Sequence, residues 1–186
     1  TDSLGSLLEI LDLEEIDFNI FRGSNEPTRY GRLFGGQVAA QALVAAGRTV
    51  DSLPAHSLHG YFLRPGNPNE PAVFMVDRIR DGRSFCTRRV TGIQDGKAIF
   101  TMSASFHGDD SGISHQDTMP EVLGPDSLPD PTTLAEYDHS FYREWSEWDI
   151  RVIPEDQTVK HPSFAAQQRV WFRYRDTLPD DQVFHV

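Results

Sequence analysis

One cysteine, Cys86, stands in 186 residues, so the chain forms no disulfide within itself and a reducing compartment is expected. A lone strand cysteine reads as a small packed hydrophobe. Positive charge is also scarce: 17 Lys and Arg face 28 Asp and Glu, a net charge of −11. Nucleic-acid binding rests on cationic neutralisation of phosphates, so no nucleic-acid partner is expected. No apolar run approaches the roughly 18 residues that span a bilayer. No basic-then-apolar secretory signal opens the chain, and a cytoplasmic location follows as the expectation. The chain starts on Thr1 rather than Met, which leaves room for a leader removed upstream.

Three chemistries lack their residues. There is no Gly-x-Ser-x-Gly elbow for a serine nucleophile. There is no phosphate-cradling Gly-x-x-x-x-Gly-Lys loop. A single cysteine offers no zinc set, and His107, His115, His139, His161 and His185 show no ligand spacing, so neither metal nor cofactor is expected. His56 and His59 are three apart on an expected strand, which would put them on opposite faces.

What the chain does contain is an apolar helix. Phe34-Gly35-Gly36-Gln37 runs into an Ala, Val and Leu segment that ends at Gly47, with almost nothing polar on any side. Such a helix, expected from about Gly36 to Ala46, has no wet face and must be wrapped. Strands that could wrap it follow: His56–Arg64, Pro71–Arg80, Ser84–Ile93 and Ala98–His107, with Asp81-Gly82 and Asp95-Gly96 as hairpin signals. In the last, Phe100, Met102, Ala104 and Phe106 alternate with Thr101, Ser103 and Ser105. Before the helix, Leu4, Leu7, Leu8 and Leu11 keep helical spacing, and Ile16–Arg22 alternates as a strand. One buried helix with its own antiparallel sheet is an α+β unit.

The charge is uneven. Residues 108–160 hold thirteen acids against three bases and five prolines, the pattern of an exposed connection, with a helix expected over Thr133–Trp148. Val170–Tyr174 then repeats the opening move of Ile16–Ile20, a strand followed by a polar loop. Domain boundaries follow at 1–108, 109–160 for the acidic linker, and 161–186 for a second copy's first strand.

Four motifs in order carry a resemblance: Leu33-Phe34-Gly35-Gly36-Gln37, Ser57–Gly66, Asp81–Phe85 with Arg88-Arg89-Val90, and Met102–Phe106. Together with Arg169–Arg173 they resemble the acyl-CoA thioesterase II family, whose members carry two hotdog domains in one chain. The resemblance implies a hotdog fold with the start of a second hotdog. It implies hydrolysis of fatty acyl-CoA, with acyl-CoA as the small-molecule partner, and a peroxisomal location becomes an option in a eukaryote. It also implies that the catalytic aspartate, with its hydroxyl and glutamine partners, lies beyond Val186. No catalytic residue is therefore expected in this chain.

Candidate substrate-binding residues are Gly35, Gly36, Gln37, His59 and Arg83. A helix N-terminus presents N–H groups and partial positive charge to a thioester oxygen. The glycines fit that use, and they equally fit close packing alone. Gln37 and Gln41, one turn apart, need partners that a ligand, a second hotdog or strand carbonyls could supply. His59 is either a site residue or a hydrogen-bonded structural histidine. Residues 64–97 hold seven bases against four acids, and the turn residue Arg83 is favoured to meet CoA phosphates. A non-catalytic acyl-CoA-binding half and a hotdog hydratase stand as alternatives. Exposed sheet edges lead to a homo-oligomer as the expected assembly.

Overall fold

A computed structural model describes residues 3–25, 31–133, 147–158, 163, 166–181 and 184–185, with the backbone alone for 3–6. The chain divides into two units: residues 1–111 with 179–186, and residues 112–178.

In the first unit the helix α1 (Ser3–Leu11) precedes two short strands, β1 (Glu14–Asp17) and β2 (Ile20–Gly23). The helix α2 (Gly35–Gly47) follows, and then β3 (Ala55–Phe62), β4 (Ala72–Asp81), β5 (Phe85–Gln94) and β6 (Lys97–His107). All six strands form one antiparallel sheet in the order β1-β2-β4-β5-β6-β3. The sheet packs its inner face on α2, from which Val38 and Gln41 to Ala46 are buried. Phe21, Phe74, Val90, Phe100, Met102 and Phe106 supply the facing core.

The expected helix and the four later strands stand within a residue or two of their anticipated bounds. Asp95 and Gly96 take positive φ values of 47° and 68°, the two-residue turn that the Asp-Gly pair signals. The strand expected over Ile16–Arg22 is instead a hairpin, because Phe18 and Asn19 form a turn with Asn19 at φ 57°. Asn adopts the left-handed region more easily than other side chains, and that residue was the missed signal. Phe18, which alternation puts on one strand face with Ile16 and Ile20, is 73% exposed at the tip.

The second unit contains a ribbon of β7 (Trp148–Val152) and β8 (Val170–Tyr174). The strand β8 falls where alternation placed it. The expected helix over Thr133–Trp148 falls mostly on residues 134–146, outside the described residues, and Trp148 itself opens β7, a strand the sequence reading did not anticipate. One face of the ribbon carries Trp148, Ile150 and Val152 opposite Tyr174, Phe172 and Val170. The other buries Asp149 between Arg151, at 2.9 Å, and Arg173, at 3.2 Å. Burial alone would raise the Asp130 carboxyl, but bonds from Thr132 and Arg175 outweigh it and hold its pKa at about 2.

Candidate functional site

The helix α2 begins under two aromatic rings. Its preceding residue, Phe34, has an extended backbone and no side chain that caps the helix. The first-turn N–H groups, at Gly35, Gly36 and Gln37, therefore lack intrahelical acceptors. A Cβ on Gly35 would meet Phe62 Cζ at 2.9 Å, and one on Gly36 would meet Phe34 Cε1 at 2.4 Å. The glycines thus let the rings press against the helix backbone. Phe34 and Phe62 remain 49% and 61% exposed, so the helix start has an apolar, accessible rim.

Behind this rim lies a network of neutral amides. Gln37 Nε2 donates to Asn25 Oδ1 at 2.9 Å, and Asn25 Nδ2 donates to Glu70 O. One turn further on, Gln41 is fully buried and donates to Ile10 O at 3.0 Å and Ser24 O at 2.8 Å. Its Oε1 is buried without a hydrogen-bond partner among the described residues. Gly23 is where the Gln41 amide passes, since a Cβ there would lie 2.6 Å from Nε2. Loop and helix carbonyls therefore answer one amide group of the glutamine pair, and the Asn25 side chain the other.

The far end of α2 is closed by charge. Arg88, 1% exposed, donates from Nε to Thr49 Oγ1 at 2.7 Å and from Nη2 to Thr49 O at 2.9 Å, just past the helix end. Its Nη1 reaches Arg80 O and Thr87 O, both at 3.0 Å, and its Nη2 pairs with Asp81. The Arg88 guanidinium bonded to Asp81 holds that carboxyl below its ordinary range, with Arg78 adding to the effect. A cleft of about 650 Å³ runs beside this half of the helix, lined by Leu8, Leu11, Leu43, Leu53, Phe106 and Phe184.

The five residues singled out in the sequence are not gathered in one place. Gly35, Gly36 and Gln37 stand together at the start of α2. Arg83 is exposed in the β4–β5 turn, beside the Asp81–Arg88 clamp at the helix's other end, about 18 Å along a helix of this length. His59 pairs across the sheet with Ser103, between the buried positions Ala104 and Met102, and so faces outward, away from α2. It packs against Tyr61 with ring centroids 4.8 Å apart.

The expected separation of His56 from His59 also fails. A bulge between Ala55 and Ser57 turns His56 to the outer face, where it bonds Ser105 Oγ at 2.8 Å and meets His107 and Phe85. No group of three or more metal-ligating side chains forms among the described residues.

Sequence reading passed over Asn25, the two phenylalanines and Gln94. It counted Arg88 among the seven bases of residues 64–97 without assigning it to the core. A signal existed in β5, where Cys86, Arg88, Val90, Gly92 and Gln94 share one parity and all are buried. A polar residue on a core parity announces a built-in hydrogen-bond network.

This sheet order, wrapped on one central helix, defines a hotdog protein, and the fold matches that of an Alicyclobacillus acidocaldarius protein described as having a hot dog fold (TM-score 0.72, 23% identity, 91% of this chain and 62% of that one). Residues 25–107 match the acyl-CoA thioesterase N-terminal domain. The chain is 45% identical over 192 residues to mouse acyl-coenzyme A thioesterase 8, covering 94% of this chain and 60% of that protein. It is 52% identical to the acyl-CoA thioesterase II TesB2 of Mycobacterium marinum, with a TM-score of 0.83, covering 96% of this chain and 64% of that one. The chain belongs to the acyl-CoA thioesterase II family. It spans less than two thirds of the length of these relatives.

Proposed function

We propose that the protein hydrolyses fatty acyl-CoA to free fatty acid and CoA. The observation that carries this reading is the start of α2: first-turn N–H groups at Gly35, Gly36 and Gln37, with no side-chain cap from Phe34, beneath exposed Phe34 and Phe62. Donors at a helix N-terminus suit the oxygen of a thioester as negative charge develops on it. The apolar rim suits the hydrocarbon beside it. Substrate binding falls to Gly35, Gly36 and Gln37. His59 and Arg83, remote from them, are left as outer contacts.

Among the described residues at this rim there is no carboxylate or imidazole to take a proton from water. The resemblance to the thioesterase II family puts the base, an aspartate, beyond Val186, where it acts without a covalent intermediate or a metal. The apolar face of the β7–β8 ribbon supports a second hotdog that begins here, since Phe172 is 71% exposed and such a face is normally covered. A homo-oligomer is supported by β3, which ends the sheet order with Leu58 and Tyr61 exposed. One buried free cysteine suits a reducing compartment and supports a cytoplasmic location, or a peroxisomal one in a eukaryote.

Release of CoA from long-chain acyl-CoA by the full-length protein, followed with a thiol reagent, tests the reading. Absence of release across chain lengths overturns it. Residues 1–186 alone are expected to show little or no turnover. That no base stands at the rim among the described residues also favours a second reading, a half that binds acyl-CoA without hydrolysing it. Calorimetric titration of the full-length protein with palmitoyl-CoA separates the two, because heat of binding without CoA release selects the second.

A further inference from the structure

The amide network behind the rim has a direction, and the direction fixes what Gln37 can do. A backbone carbonyl accepts and never donates. Glu70 O is therefore met by the Nδ2 end of Asn25. The other end of that amide, Oδ1, must then face Gln37, which can answer it only with Nε2, as the 2.9 Å contact shows. The orientation of Gln37 is thereby set from outside, and its Oε1 is the end left over.

The anchor of the chain is itself held. Gln94, buried at the end of β5, donates from Nε2 to Glu70 O at 2.8 Å and to Asn67 O at 2.9 Å. Its Oε1 accepts from Asn67 N at 2.8 Å, so both ends of that amide are assigned by backbone groups. The loop between β3 and β4 is pinned by Gln94, Asn25 is pinned by the loop, and Gln37 by Asn25.

We infer that Gln37 presents an acceptor to the ligand, and that this acceptor takes the N–H of the cysteamine amide in the CoA arm. The inference rests on the proposed docking of the thioester at the start of α2. The thioester oxygen is itself an acceptor and cannot bond Gln37 Oε1. A neutral amide oxygen is too weak a base to take a proton from water, so it orients a ligand rather than activating a nucleophile. In an acyl-CoA the N–H nearest the thioester belongs to the amide two carbons from sulfur. Gln37 is thus a substrate-contacting residue, and Asn25 a positioning residue acting through it.

The test compares two thioesters of one fatty acid with the full-length protein: the N-acetylcysteamine thioester, and its isostere with an ester oxygen in place of that N–H. Loss of a matched donor costs on the order of tenfold, so the wild type should hydrolyse the amide with about tenfold higher kcat/KM. Gln37→Met should bring the ratio to about one. Asn25→Leu should reduce it part of the way, because the Gln37 amide becomes free to flip. A merely structural role would lower both substrates alike and leave the ratio untouched. A wild-type ratio near one, or an unchanged ratio in Gln37→Met, overturns the inference while the hydrolase reading stands. Hydrolysis of neither thioester, nor of acyl-CoA, overturns both.

Discussion

One helix, α2, ends in two different ways. At its C-terminal end a buried guanidinium ties Thr49, Arg80, Thr87 and Asp81 together, and cationic donors suit the negative end of a helix dipole. At its N-terminal end the described residues are two glycines, two phenylalanine rings and a relay of neutral amides, and the Phe34 side chain does not cap the first-turn N–H groups. Charge closes the end that needs only to be fixed in place. The end proposed to meet a ligand is held from behind, through side-chain amides. Substitutions at the two ends should therefore separate stability from turnover.

The largest effect is expected at the closed end. Arg88→Leu removes bonds to three carbonyls, one hydroxyl and one carboxylate. Asp81, more than half exposed, can return to water, but the buried Thr49 and its carbonyl lose their donors. A loss of about 3 kcal/mol is expected, which lowers the thermal midpoint by roughly 10 °C for a unit of this size. A change below about 1 kcal/mol would show that the guanidinium does not hold this end.

Gly36→Ala at the open end should do the reverse. The added Cβ meets Phe34, whose ring is half exposed and can swing outward, while alanine favours a helix over glycine by about 1 kcal/mol. Unfolding stability should stay within about 1 kcal/mol of the wild type. Turnover of acyl-CoA by the full-length protein should fall about tenfold, because the methyl and displaced ring intrude on the first-turn donors. Equal damage to stability, or full activity, would erase the contrast between the ends.

Much of this contrast was hidden in the sequence for a definite physical reason. The apolar helix and the hairpins around it were legible, since hydrophobic period and Asp-Gly turns are local signals. The glycine pair was legible as a feature but open in meaning. Only coordinates show the rings of Phe34 and Phe62, the latter 26 positions further along, pressed on it. Arg88, Gln94 and Asn25 take their roles from partners far away in the chain, such as Thr49 and Glu70, and no local pattern encodes those pairings. The turn at Asn19 was missed because Ile16, Phe18 and Ile20 preserve strand parity straight through it. The displacement of His56 depends on one extra residue in β3, which alternation cannot register.

The smallest predicted difference is in acid. At the closed end Asp81 bonds Arg88, with Arg78 and the Cys86 thiol also acting on it, and its pKa is held below the ordinary 3.8. A carboxyl with a depressed folded pKa contributes stability that is fully present above the unfolded value. That contribution disappears as pH falls through the lower, folded value. The clamp should therefore loosen below about pH 4, seen as faster amide exchange at Thr49 and along the β4–β5 hairpin, measured against acid-independent amides elsewhere in the sheet. The relay of Gln94, Glu70 O, Asn25 and Gln37 contains no titrating side chain, since Glu70 takes part through its backbone carbonyl. Exchange at the start of α2 should show no acid-linked step of its own over the same range. If both ends loosened together, the helix would respond to acid as one body, and the division into a charged lock and a neutral mouth would lose its physical basis.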